Sequence, residues 1–361
     1  VTIVATSSSE PLAPRGDRSR RGMAALLVLA ALLVTACFIS LVNGPTGVGW
    51  SDLVNYLSGK GVLAQQDRVV LEAVRLPRTL LGILVGAGLG LSGAMMQGLF
   101  RNPLADPGIV GVTSGASLAA VAAIVLGPGL LLPLQTALGD ELLPVMAFSG
   151  ALLNTALLYA IATRGGQTST IALVLSGIAI GALSMAATGL MIFMADDRAL
   201  RDITFWSLGS LGGATYAKAM SIAPFVLGAL AAVPFIARGL DALVLGDAAA
   251  FHMGIPVERL KRVSVLIVAA ACGAAVAVAG SIAFIGIIVP HLLRMAIGPS
   301  HRFLLPASAL GGASLLLLAD SLARTIVAPA ELPIGIVTAL IGAPVFLLLL
   351  LGKSGRGMVE N

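Results

Sequence analysis

The chain has 361 residues, of which 58% are hydrophobic and only 11% charged. Soluble domains carry about 25% charged residues and less than half apolar ones, so a soluble enzyme, extended disorder and a soluble domain on one anchor are excluded. The net charge of +5 does not indicate nucleic acid, because the basic residues sit in short connections between apolar runs and no basic tract is interleaved with aromatics.

A spanning helix needs about 20 apolar residues. Hydropathy predicts an all-α polytopic membrane protein with about ten transmembrane helices, at 23–42, 78–100, 109–127, 142–163, 170–195, 218–237, 263–279, 281–297, 304–323 and 334–352. Residues 1–22, with Arg15, Arg18, Arg20 and Arg21, are expected to form a cytoplasmic tail. Residues 23–352 form a single transmembrane domain, and 353–361 a second cytoplasmic tail. With the N-terminus inside, 14 of the 22 Lys and Arg fall on the inner side, as positive-inside bias requires.

In the first span, Val34-Thr35-Ala36-Cys37 follows an Arg-rich start and also fits a bacterial lipoprotein signal, an alternative that the mass of the intact N-terminus separates. Cys37 and Cys272 both lie in apolar runs, which leaves neither a disulfide framework nor a zinc site. The pairs Gly82/Gly86, Gly86/Gly90 and Gly177/Gly181 let helix backbones approach closely, ordinarily inside one bundle. Gly86-Ala87…Gly93…Pro103 and Gly273-Ala274…Gly280…Pro290 share an offset that fits an inverted repeat. Two apolar runs meet across Ala279-Gly280-Ser281; one helix there would be too long for any bilayer, so a tight turn is expected.

The span centres contain no Asp, Glu, Lys or Arg; Asp320 falls near an outer span end and His291 near an inner one. A proton-coupled carrier needs a titratable group at membrane depth, so the energy is expected from outside this chain. Gly352-Lys353-Ser354 resembles part of a phosphate-binding loop, but Leu347 stands where its first glycine belongs and no strand precedes it. Between the sixth and seventh spans, Gly239–Arg262 is too polar to span. Gly246 and Gly254-Ile255-Pro256 should break it into two short helices, either a cytoplasmic docking element or an interfacial amphipathic helix.

The stretch from Arg75-Leu-Pro-Arg78 through Gln97 and Asn102-Pro103-Leu104 to Asp106-Pro107-Gly108 resembles the FecCD family of ABC-importer permeases, which serves siderophores, haem and cobalamin. Similar patterns continue in Leu245-Gly-Asp-Ala-Ala-Ala-Phe-His-Met-Gly254, Gly286-Ile-Ile-Val-Pro290-His291 and Ala330-Glu331-Leu-Pro333-Ile-Gly335. The resemblance implies a type II ABC importer permease fold, a homodimer in the bacterial inner membrane with both termini cytoplasmic, two cytoplasmic ATPase subunits and a periplasmic substrate-binding protein. It also implies no catalysis in this chain and no cofactor. Haem permeases of the family are most similar around Trp206, His252, Glu258 and Arg324, so haem leads, with a ferric siderophore or cobalamin as the alternative. An ion-coupled secondary carrier is the alternative from another class.

Carried over by that resemblance, Arg75 and Arg324 match outer arginines that receive glutamates of the binding protein. Asn102, Pro103 and Leu104 match one cytoplasmic gate, and Thr168, Ser169 and Thr170 resemble the second. Residues 239–258, with Leu245, Gly246, Asp247, Ala250, His252 and Gly254, match the coupling helices seated on the ATPase. The plainer alternatives are an arginine that snorkels to lipid headgroups and prolines that merely end helices. His252 and His291 read as interfacial, His301 as a loop residue, and Met95 and Met96 as packing; none is assigned to metal or haem.

Overall fold

The computed structural model describes residues 18–44, 49–58 and 64–351. Residues 1–17 of the expected first tail, all of the second, and Gly352-Lys353-Ser354 lie outside the described residues. In chain order the helices are α1 (Arg18–Val42), α2 (Trp50–Ser58), α3 (Gln65–Val69), α4 (Leu76–Leu99), α5 (Val112–Leu126), α6 (Leu132–Leu138), α7 (Leu142–Ala162), α8 (Thr170–Phe193), α9 (Asp197–Leu208), α10 (Tyr216–Leu243), α11 (Asp247–His252), α12 (Val257–Ala279), α13 (Ile285–Ile297), α14 (His301–Ile326) and α15 (Ile334–Leu351). A two-residue antiparallel hairpin, β1 (Thr163–Arg164) with β2 (Gln167–Thr168), joins α7 to α8.

A helix lies on every span that hydropathy predicts. Among the described residues seven helical stretches are long and apolar enough to cross a membrane, while α5, α13 and α15 are shorter apolar helices. The chain is therefore a mostly helical, multi-pass membrane protein.

Glycine decides which helix takes the centre. A Cβ on Gly86 of α4 would overlap the Gly312 carbonyl of α14, one on Gly90 the Ser308 carbonyl, and one on Gly93 the Gly286 carbonyl of α13. Backbone therefore meets backbone along one side of α4. Small residues are what permit this in lipid, where apolar side chains gain nothing by leaving the solvent. α10, α12, α13 and α14 surround α4, and every residue from Val85 to Leu99 is buried. At the other extreme α8 buries only Leu173 and Ser184, and α1 is similarly exposed. Gly177 packs on the Ile109 carbonyl, whereas Gly181 faces open space, so the third glycine pair is only half used.

The breaks follow from backbone chemistry. A π-helical turn, Val70–Arg75, leads from α3 into α4 just before Pro77. A proline ring clashes with the carbonyl four residues back in a regular α-helix, and the wider turn accommodates it. The turn expected near Gly280 is present. Gly280 ends α12 at φ +73°, its α-hydrogen side pressed on the Trp206 carbonyl, and α13 starts only at Ile285.

Two expectations need correction. The proposed repeat is not structural in that register: Gly86 and Gly93 lie inside α4, while Gly280 ends a helix, and Pro103 lies in a loop where Pro290 lies inside α13. The segment Gly239–Arg262 does not form two short helices. α10 continues to Leu243 because Gly239, Leu240 and Leu243 stay buried, with Gly239 packed on Leu260. Gly246, at φ +104°, then stops it, and only α11 stands between α10 and α12.

Candidate functional site

Polar side chains inside an apolar bundle must find partners, because an unpaired buried charge is costly. At the end that charge bias puts outside, Arg78 of α4 lies 2.9 Å from Asp320 of α14 and 2.9 Å from Glu331 in the α14–α15 connection. Asp320 is fully buried and also holds Arg324 Nε at 3.1 Å. The expected docking residues share this cluster. Arg324 donates to the Asn43 carbonyl at 2.8 Å and the Ser40 carbonyl at 3.2 Å, and Arg75 donates to the carbonyls of Leu41 and Val42. Both guanidiniums thus cap the carboxyl end of α1, where orphan carbonyls concentrate negative partial charge. Both are nearly inaccessible. Arg78, which the sequence does not distinguish from its neighbours, is the pivot. Its signal was the presence of two acidic residues, Asp320 and Glu331, at the same membrane level.

Hydropathy left the span centres without an acidic group, but the fold supplies one. The chain between α4 and α5 turns back into the bundle. There Asp106 Oδ2 lies beside Gly286, level with Leu89 and Gly93 in the middle of α4. The carboxylate borders a cavity of about 280 Å³ shared with Thr113, Cys272 and Ser281. Asp106 Oδ1 accepts the Gly108 amide at 2.7 Å and so caps the short 3-10 turn Pro107–Val110. The inference that no titratable group reaches membrane depth is therefore corrected. Re-entry of a loop is invisible to a span-by-span reading.

The opposite end carries the expected gate and coupling residues. α4 stops in a Schellman turn, with the Asn102 amide on the Gln97 carbonyl at 3.2 Å and Arg101 in the left-handed region at φ +52°. Asn102 Oδ1 accepts the Leu104 amide at 2.9 Å, which fixes Asn102-Pro103-Leu104 as a rigid turn. Thr168 is buried: its amide donates to Glu258 Oε2 at 2.8 Å, its hydroxyl to Tyr159 Oη at 2.9 Å, and its carbonyl accepts Lys261 Nζ at 3.0 Å. Ser169 caps α8 through the Ala172 amide, and Thr170 begins that helix. Asp247 opens α11, placing one carboxylate oxygen 2.7 Å from Lys261 and the other 3.5 Å from Arg101.

Of the coupling residues, Ala250 is buried under α11, while Leu245 and His252 are exposed and Gly246 and Gly254 take positive φ at the two ends of α11. Phe251 and Met253 add large exposed apolar surface beside Leu245. A cleft of about 1080 Å³ lies between this element and the hairpin, lined by Arg164, Thr168, Asp247, Phe251 and Lys261 among others. His301, expected in a loop, instead opens α14; it is fully buried and holds Asp241 at 2.7 Å.

A multi-pass bundle with an ionic cluster at one end, and a rigid turn, a hairpin and an exposed knob at the other, is the framework of a transport permease. The FecCD transport family matches residues 32–352, and the chain belongs to it. It is 48% identical over 278 residues to the hemin transport system permease protein HmuU of Yersinia pestis, 77% of this chain and 82% of that relative. It is 42% identical over 291 residues to the cobalamin import system permease protein BtuC of Halobacterium salinarum, 81% of this chain and 76% of that relative. A solved inward-facing metal-chelate type ABC transporter superposes with a TM-score of 0.77 at 34% identity, covering 91% of this chain and 99% of that one. The protein is an ABC importer permease of the FecCD type.

Proposed function

We propose that this permease moves haem from the periplasm to the cytoplasm, two copies in the bacterial inner membrane enclosing a path at their interface. The tails at 1–22 and 353–361 face the cytoplasm, with 23–352 as the transmembrane domain. Two ATPase subunits dock on the coupling element within 239–258, and ATP binding there alternates access. The observation that carries this reading is the inner end itself, where exposed Leu245, Phe251 and Met253 stand beside the two gate elements. α8, which starts at the Ser169–Thr170 gate and leaves most of its apolar surface uncovered, supplies a face for the second copy. No intramembrane titration is required in this reading, because the energy arrives through the docked ATPase.

Haem leads on the likeness to the Yersinia relative. Haem iron is normally held by His, Met, Cys or Tyr, and tight ligation would slow release. Passage is therefore assigned to apolar contact, with axial ligands left to the binding protein. Cobalamin is the second reading, favoured by the Halobacterium relative.

A periplasmic binding protein docks at the outer end. Its carboxylates compete there with the α1 carbonyls for Arg75 and Arg324. The test is ATP hydrolysis by the reconstituted complex with binding proteins loaded with haem, a ferric siderophore or cobalamin. Greatest stimulation by the haem-loaded form is expected, and greatest stimulation by another form overturns haem. Uptake by the permease alone in ATP-free vesicles, driven by an ion gradient, overturns the ATP-driven reading.

A further inference from the structure

Lys261 is a charged side chain at only 5% exposure, in the first turns of α12. An ammonium has three donors. All three are used, on three separate pieces of the inner end: the Thr168 carbonyl of the hairpin at 3.0 Å, Asp247 of α11 at 2.7 Å, and Glu258 of its own helix at 3.3 Å. Glu258 returns to the hairpin by accepting the Thr168 amide. Both backbone polar groups of Thr168 are thus held by the start of α12. The hydroxyl of Thr168 meanwhile ties it to Tyr159 of α7.

Asp247 is the fork of this arrangement. Its second oxygen faces Arg101, whose backbone is locked in the Schellman turn immediately before Asn102. One carboxylate therefore lies 3.5 Å from Arg101, next to the first gate element, and reaches Thr168 of the second through Lys261. α11 itself is bracketed by Gly246 at φ +104° and Gly254 at φ +80°, and a side chain on Gly254 would meet nothing within 4 Å. These joints let α11 shift as a unit while its charge contacts hold. The Lys261–Asp247 hydrogen bond suits that task because it is charge-assisted, short and directional, and Arg101 adds a longer ionic contact at 3.5 Å.

We infer that Asp247 and Lys261 form the strut through which the ATPase-docked α11 moves both cytoplasmic gate elements together, a positioning role that rests on the transport reading above. The pair is poorly explained as a stability device. Asp247 and Glu258 are 43% and 34% exposed, so both carboxylates hydrate once Lys261 is removed. Lys261→Met keeps the apolar stem and deletes the three donors, so the bundle should still fold and assemble.

The experiment uses the permease–ATPase complex in a Cys37→Ala, Cys272→Ala background. Spin labels are placed at two exposed positions, by Gln167→Cys on β2 and Ala248→Cys on α11. The longer distances between the two copies are read separately. Without the strut substitution, the shorter separation, within each copy, is expected to stay narrow with and without trapped ATP, because hairpin and α11 travel as one body. Lys261→Met should broaden or split that separation when ATP is bound, and Lys261→Arg should restore it. In haem-loaded proteoliposomes Lys261→Met should lower haem moved per ATP hydrolysed by about fivefold or more. A Lys261→Met complex with the unsubstituted separation in both states, or with unchanged haem per ATP, overturns the inference. If the unsubstituted complex moves no haem with ATP, the haem reading falls, while the distance measurement still decides the strut.

Discussion

Arg78 and Asp320, 242 positions apart, meet through both Nε and Nη2 of one guanidinium inside the protein. The pair joins the central helix α4 to α14 at the level where Arg324 also turns onto Asp320. If that carboxylate is lost, Arg78 keeps only the half-exposed Glu331, and buried Arg324 loses its carboxylate partner. Asp320→Ala should then destabilise the permease by about 3–5 kcal/mol, the cost of stranding a buried charge. Thermal unfolding in detergent measures this. Glu331→Ala should cost about 1 kcal/mol or less, since Glu331 is 40% exposed and water screens its pair. Equal losses from the two variants would contradict the assigned roles.

Docking at the outer end is tested with the same cluster in mind. Arg75→Glu or Arg324→Glu should weaken association with the binding protein while ATPase-subunit assembly persists. Each also removes a cap from α1, so hydrogen exchange at residues 40–43 should rise. Unchanged binding-protein affinity at low salt in both variants rejects the docking role and leaves the capping one.

Arg101 separates backbone strain from charge. A non-glycine residue in the left-handed region costs roughly 1–2 kcal/mol. The Arg101–Asp247 pair is more than 40% exposed on both sides and contributes less. Arg101→Gly should therefore be more stable than Arg101→Ala by about 1 kcal/mol, because only glycine relieves the turn. Chemical or thermal denaturation of the two variants in parallel gives the answer, and an Ala variant as stable as the Gly one would remove the strain argument.

Glycines with the same spacing should behave differently. Gly86→Ala forces a methyl into the Gly312 backbone and should block assembly of α4 against α14, read as loss of folded protein on size exclusion. Gly181→Ala meets nothing within the subunit and should leave its fold intact. If Gly86→Ala folds as well as Gly181→Ala, the close crossing is not as described.

Asp106 lies at membrane depth, so it also tests the carrier alternative. Asparagine still accepts the Gly108 amide, whereas alanine loses the cap at a cost of about 1 kcal/mol. Asp106→Asn is expected to retain ATP-driven uptake. Loss of uptake in Asp106→Asn, with folding and ATPase assembly intact, would assign the carboxylate a proton- or cation-handling role.

What the sequence by itself determined is what depends on local chemistry. Each predicted span carries a helix because transfer into lipid is a property of a contiguous apolar run. The break at Gly280 follows from bilayer thickness. Of the residues that carried the family resemblance, Arg75 and Arg78 lie at one end of the bundle, Asn102–Leu104 and Leu245–Gly254 at the other, and α4 with Asp106 between them. Only the tertiary structure decided the rest. Hydropathy cannot show that the residues after α4 re-enter and bring Asp106 level with Leu89. Nor can it choose Asp320 as the partner of Arg78, or join Thr168 to Lys261 across 93 positions. Those pairings arise because a dry interior favours bringing a charge to a complementary group in space. Which group is nearest is set by helix crossings that the glycines of α4 permit.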